Sequence, residues 1–198
     1  ISEMKRISAE GRCFDTLYIG GGTPSVYGHH DIGKILSAVY ENFDLKPESE
    51  MTIEVNPGTV SLEQLKGYRQ AGINRINIGV QSFLQDNLDF LGRIHTAAEA
   101  RSAVIEAHRA EFKNIGFDLI YGLPDQSEGD WLQNLKFAVE YHPTHLSCYT
   151  LTYEEHTPLY NSLKDGRVQP LTEDRVRVLF EATTDFLEDH GYFQYEIS

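Results

Sequence analysis

Apolar runs of strand length alternate with longer stretches of helical period, and no low-complexity linker interrupts them. That alternation limits the fold more than any other feature. Strand-like runs lie at 16–20, 51–56, 75–81, 116–121 and 145–152, with a weaker one at 193–197. Between the first two, Ile32, Ile35, Leu36, Val39, Tyr40 and Phe43 recur at the spacing of an amphipathic helix. Ser61 followed by Gln64 is a capping box, and Gly72 stops that helix. Thr96 with Glu99 repeats the signature ahead of a helix running to about Glu111. Ser127 opens another, with Trp131, Leu135, Ala138 and Val139 on its apolar face. Thr172 opens the last, with Val176, Leu179, Phe180 and Leu187 facing inward and Gly191 as its stop.

Strands joined by helical crossovers form a parallel sheet, so the choice lies between a doubly wound sheet and a (β/α) barrel. The strand ends favour the barrel. Met51, Ile53 and Val55 point opposite to Thr52, Glu54 and Asn56. Ile76, Ile78 and Val80 oppose Asn77, Gly79 and Gln81, while Phe117 and Leu119 oppose Gly116 and Asp118. Three successive strands thus carry a polar residue near the C-terminal end, away from their bulky apolar face. In a barrel that is the inner, upper position where sites are built.

Composition sets the outer bounds. Seventeen Lys and Arg against 30 Asp and Glu give a net charge of −13. Phosphate binding needs clustered cations, so a general nucleic-acid binder is not expected. No apolar run approaches the roughly 18–20 residues of a membrane span, and the first twenty residues lack a signal-peptide layout. The expectation is a cytoplasmic α/β domain. Cys13 and Cys148 lie too far apart in sequence for a CxxC metal pair. His142 and His145 flank Pro143, a poor geometry for metal binding, and His29-His30 reads as a helix start.

Four strand ends carry chemistry. Gly20-Gly21-Gly22-Thr23-Pro24-Ser25 comes directly after the first strand and exposes backbone N–H and C=O groups at close range. It is neither a P-loop nor a GxGxxG turn, and a tight βα turn explains it equally well. Glu54 and Asp118 are carboxylates inside otherwise buried runs, where an unpartnered charge would cost several kcal/mol. Gln81 can donate and accept, and Arg93 offers a fixed cationic fork. For any one of them an internal network such as Asp118 with Arg93 is an equal explanation. The four together, aimed at one rim, favour a ligand site. Cys148 reads as core packing.

Six motifs, in order, resemble the radical S-adenosylmethionine (SAM) proteins of the oxygen-independent coproporphyrinogen III oxidase group. They are Gly20-Gly21-Gly22-Thr23-Pro24-Ser25, Ile53-Glu54-Val55-Asn56-Pro57, Ile78-Gly79-Val80-Gln81-Ser82-Phe83, Leu91-Gly92-Arg93-Ile94-His95, Asp118-Leu119-Ile120-Tyr121-Gly122-Leu123-Pro124 and Tyr195-Glu196-Ile197-Ser198. Leu-Gly-Arg-Ile-His, Leu-Pro-Asp-Gln-Ser and Thr-Pro-Leu-Tyr at 157–160 favour the oxidase-like branch, the HemW type, regarded as heme chaperones.

The resemblance implies a partial (β/α)6 barrel, with residues 1–198 an incomplete core that lacks the first strand and holds strands two to six plus the start of the next region. It implies SAM and a [4Fe–4S] cluster that together generate a 5′-deoxyadenosyl radical. Gly21, Gly22 and Thr23 would meet the methionine amino group, and Glu54, Gln81, Arg93 and Asp118 would line the SAM sites. The cluster motif CxxxCxxC is absent from residues 1–198, and Cys13 and Cys148 cannot replace it. Its ligands, and the branch's heme-binding His-Asn-x-x-Tyr-Trp motif, are expected outside this chain, which alone should be inactive in radical chemistry. The implied partners are heme or porphyrin, apo-hemoproteins and an electron donor. Three readings are open: a heme chaperone, an oxidase decarboxylating coproporphyrinogen III, and an unrelated barrel enzyme binding another metabolite.

Overall fold

The computed structural model describes residues 13–197, with Ser2 and Met4. In chain order these form β1 (Cys13–Ile19), a 3-10 turn (Pro24–Val26), α1 (His29–Asn42), β2 (Asp44–Val55), α2 (Leu62–Ala71), β3 (Arg75–Gln81) and α3 (Gln85–Phe90). They continue through α4 (Ala97–Arg109), β4 (Asn114–Tyr121), α5 (Glu128–Glu140), β5 (His145–Thr150), α6 (Pro158–Lys164) and α7 (Glu173–Asp189). The five strands make one sheet in the order β1-β2-β3-β4-β5. β2 pairs in parallel with both β1 and β3, as expected of strands joined by helical crossovers. The chain divides into two compact units, Ile1–Gly79 with Glu99–Gly116, and Val80–Ala98 with Phe117–Ser198.

The first unit separates apolar from polar by strand alternation. Met51, Ile53, Val55, Ile76 and Ile78 are buried. α1 contributes Ile32, Leu36 and Val39 to the core, and α2 contributes Leu65 and Tyr68. The alternate residues form a polar ladder. Arg75 Nε lies 3.9 Å from Glu50 Oε2, and Asn114 Nδ2 donates to the same oxygen at 3.1 Å. Gly116 leaves room for this ladder, since a Cβ there would stand 2.5 Å from Asn77 Oδ1.

β2 begins seven residues earlier than the apolar run suggested, at Asp44 rather than Met51. Its N-terminal half is mostly exposed, so hydrophobic alternation could not reveal it. Pro47 has no N–H for a ladder, and it falls in the register break beyond the pairing of Leu45 with Phe14.

In the second unit, Trp131 is fully buried, 5.3 Å from the Tyr121 ring, and its indole N–H donates to Thr183 Oγ1 at 2.7 Å. That bond ties α5 to α7 and satisfies the buried indole donor. Ser127 forms a reciprocal capping box with Asp130, and Thr172 accepts from Arg175 N. Ser61 accepts from Gln64 N, but the expected capping box stays half-formed, because Gln64 Nε2 donates to Ser25 O and Tyr27 O instead.

A further expectation is corrected: residues 193–197 form no strand. The alternation there is sound, but Phe193, Tyr195 and Ile197 are 90%, 76% and 81% exposed. Alternation creates a strand only where a ladder partner and a core face receive it. Sequence periodicity also passed over the short helices α3 and α6, which hold too few turns to show a period.

Gly67 lies inside α2, where glycine ordinarily costs stability, because the His29 ring of α1 occupies the space of its side chain. A Cβ would fall 2.3 Å from His29 Cγ and 2.6 Å from its Cβ. Gly67→Ala is therefore expected to destabilise the protein by about 1–3 kcal/mol in urea unfolding, despite alanine's higher helix propensity. Adding His29→Gly, which removes the clashing Cβ along with the ring, should recover part of the loss. An unchanged or raised midpoint in the single variant would contradict this packing.

Candidate functional site

The residues singled out by sequence fall into two groups, one in each unit. In the first unit, β1 delivers the chain into Gly20-Gly21-Gly22-Thr23. Gly21 and Gly22 take φ of +83° and +69°, a left-handed conformation that side-chain-bearing residues adopt only with strain. Positions where their Cβ atoms would stand meet nothing within 4 Å, so the backbone of the turn faces open space. Glu54, at the C-terminal end of β2, reaches this turn. Its Oε2 accepts from Gly21 N at 3.1 Å, and its Oε1 accepts from the Tyr18 hydroxyl at 2.9 Å.

A dense network fixes the turn behind Glu54. Asn56 Nδ2 donates to Thr23 Oγ1 at 3.1 Å, and Asn56 N donates to Ser25 Oγ at 3.2 Å. Gln64 and Tyr68 of α2 hold the next residues, Gln64 Nε2 donating to Ser25 O at 2.8 Å and the Tyr68 hydroxyl to Tyr27 O at 2.5 Å. Burial pushes the Tyr68 phenol above its ordinary pKa, with the Gln64 bond pulling the other way, so it stays a donor at neutral pH.

In the second unit, Gln81, Arg93 and Asp118 line one cavity of about 1120 Å³, with Ile120, Tyr149 and Glu154 also on its wall. Gln81 closes β3 with φ +63°, an uncommon conformation for a residue with a side chain. Ser82 N donates to Val80 O across it at 2.7 Å. Buried Asn134 of α5 secures the turn, its Oδ1 accepting from Phe83 N at 2.7 Å. Strain of this kind persists where the surroundings over-determine it, commonly at binding sites.

Arg93 comes after α3 in a Schellman turn. Gly92, at φ +64°, donates to Asp89 O at 3.1 Å, and Arg93 N donates to Leu88 O at 2.9 Å. His95 Nε2 lies 3.1 Å from Val80 O and fastens the loop to β3. Burial lowers the Arg93 pKa while the Asp118 charge raises it, and the guanidinium remains cationic at neutral pH.

Some contributors escaped the sequence reading. Tyr18 carries no motif, yet it sits two residues before Gly20 on the strand face it shares, which is the signal that would have found it. Glu154 lies beyond β5 in a stretch without periodicity. Cys148 is half-buried rather than core, and lines a second cavity of about 440 Å³ with His145 and Tyr195, whose Nε2 and hydroxyl oxygen are 2.8 Å apart.

Parallel strands with polar groups gathered at their C-terminal ends define an α/β protein of the barrel class, where such ends carry the site. The chain belongs to the radical SAM superfamily, whose model matches residues 1–138.

Heme chaperone HemW of Haemophilus influenzae is 41% identical over 192 residues, covering 96% of this chain and 49% of its own length. Heme chaperone HemW of Escherichia coli is 42% identical over 191 residues, with the same coverage of 96% and 49%. The chain thus spans about half the length of the curated relatives it matches. The solved coproporphyrinogen III oxidase HemN of Escherichia coli, described as a radical SAM enzyme, aligns at TM-score 0.79 and 26% identity over 92% of this chain and 42% of that one. The fold is that of a partial radical SAM barrel.

The superfamily implies SAM and a [4Fe–4S] cluster. The glycine turn, with open space above its backbone and a carboxylate at its edge, suits an amino-acid zwitterion. A cluster does not fit the described residues, among which no group of three or more His, Cys, Asp or Glu could hold a metal ion. Among them also, no helix is long and apolar enough to cross a membrane.

Burial, with the Asp118 charge adding to it, pushes the Cys148 thiol up to about 12. A folded value above the ordinary thiol value of 9.0 means that the folded state holds this proton more tightly. The stability it contributes is complete below pH 9 and falls as pH rises toward 12. At about pH 9 only about a thousandth of the Cys148 thiol is ionised. Iodoacetamide at that pH should therefore alkylate exposed Cys13 much faster than half-buried Cys148 in the native protein. Comparable native rates at the two thiols would contradict the assignment.

Proposed function

We propose that this chain is the core region of a longer radical SAM protein of heme metabolism, acting in the cytosol as a heme chaperone of the HemW type. The observation that carries the reading is the 41–42% identity to HemW chaperones across 96% of the chain. The glycine turn, its carboxylate and the strained Gln81 turn lie within it. In such a protein SAM and a [4Fe–4S] cluster, with ligands beyond the described residues, would together supply radical chemistry.

The residues here have binding roles. Gly21, Gly22 and Thr23 meet the methionine amino group through the turn, with Glu54 as the anionic acceptor beside them. Arg93 supplies the donor fork for a carboxylate. Gln81 and Asp118 offer the amide and carboxylate that ribose hydroxyls require. Taken by itself, the first unit's turn with Glu54 complements the ammonium of a SAM zwitterion, and the second unit's group offers a donor fork, an amide and a carboxylate, which is the chemical support for the assignment. Heme, apo-hemoproteins and an electron donor are the further partners of the proposed whole protein.

A second reading, anaerobic decarboxylation of coproporphyrinogen III, is supported by the likeness to HemN. Stoichiometric heme binding and its transfer to an apo-hemoprotein by the full-length protein would favour the chaperone. Anaerobic turnover of coproporphyrinogen III would favour the oxidase and overturn the chaperone reading.

For the site itself, Glu54→Ala and Asp118→Ala in the full-length protein, reconstituted anaerobically with iron and sulfide, are each expected to weaken SAM binding at least tenfold in equilibrium dialysis. Neither should unfold the protein, since neither residue belongs to the apolar core. Parental affinity in both variants would show that these carboxylates serve only internal networks.

A further inference from the structure

We infer that Tyr18 is a positioning residue for Glu54, and that its hydroxyl sets the orientation in which that carboxylate receives a ligand ammonium. This rests on the proposed SAM reading and extends it to a residue outside the motifs.

A carboxylate at a strand end turns freely about its last bond unless both oxygens are engaged. Glu54 has both engaged, by donors of different origin. Gly21 N donates to Oε2 at 3.1 Å and the Tyr18 hydroxyl donates to Oε1 at 2.9 Å. The first donor is backbone and is present whatever side chain residue 18 carries; the second exists only because residue 18 is tyrosine. With one donor on each oxygen, the carboxylate plane is fixed, and each oxygen keeps a lone pair for a further donor. Hydrogen bonds to an ionised acceptor are the stronger kind, which makes the Tyr18 contact effective although the residue is 52% exposed.

Gly20 shows that the arrangement is built into the strand. Its φ is not positive, so left-handed freedom does not require a glycine there. Space does. A Cβ on Gly20 would stand 2.6 Å from Tyr18 Cε1 and 2.9 Å from Glu54 Oε1. The Tyr18 ring and the Glu54 carboxylate together fill the volume a side chain would take. The three glycines therefore divide the work, Gly20 admitting the Tyr18–Glu54 pair and the next two bending the backbone.

The test uses the full-length protein reconstituted anaerobically, with SAM and 5′-methylthioadenosine as probes; the second has the nucleoside but no amino acid. Tyr18→Phe removes one oxygen from a half-exposed ring. It should weaken SAM binding three- to tenfold and leave 5′-methylthioadenosine binding unchanged. In a Glu54→Gln background, adding Tyr18→Phe should change SAM affinity less than twofold, because the group through which Tyr18 acts is gone.

Unchanged SAM affinity in Tyr18→Phe would overturn the inference, and so would an equal loss for both probes or full losses that multiply in the double variant. If Glu54→Gln itself leaves SAM binding intact, the reading of Glu54 as a ligand contact fails with it. If Glu54→Gln weakens SAM and Tyr18→Phe does not, only the positioning role falls.

Discussion

The hydrogen bond from Gly21 N to Glu54 Oε2 joins the two features on which the first unit's site depends. It links a turn that can exist only with glycine to a carboxylate that could not remain in a strand without partners. Parallel register makes it possible. Ile19 stands opposite Ile53, so the residue after Ile53 arrives where β1 gives way to the glycine turn. Because side chains alternate, the apolar contacts of Ile53 and Val55 on one face dictate that Glu54 emerges on the other. The core therefore aims the carboxylate, and a one-residue slip in β2 would bury it among isoleucines.

The second unit solves a related problem by different means. Gln81 and Arg93 each stand at or just past the end of a regular element, where a side chain would ordinarily be loosely directed. Both are fixed through backbone geometry. Gln81 is held in a left-handed turn closed by Ser82 and secured by a buried asparagine, and Arg93 by a Schellman turn around Gly92. Neither device uses the functional side chain itself, which leaves the amide and the guanidinium to the cavity they line with Asp118. Burial lowers the Arg93 pKa while Asp118 raises it, so the acid supports the cation as well as offering its own oxygens.

Much of this was legible in the sequence where physics is local. The strands at Met51–Val55 and Arg75–Gln81, and the caps at Ser127 and Thr172, depend on residues within one turn or one strand, and they folded as their patterns require. The charged first half of β2 was illegible because its pairing with β1 is made by backbone, not by buried side chains. Residues 193–197 erred in the other direction, presenting an alternation that no ladder receives. Tyr18 was missed because its partner lies 36 residues away, and only the register of β1 on β2 brings the two together. The strain at Gln81 was likewise invisible, since nothing about glutamine announces a positive φ.

The glycine turn must receive the amino-acid end of SAM if these residues form the proposed binding site. The most direct measurement is anaerobic titration of the isotopically labelled full-length protein with SAM, tracking the backbone amide signals. Saturable shifts are expected at Gly21, Gly22 and Thr23. Saturable SAM binding that leaves those amides unmoved would contradict the proposed site.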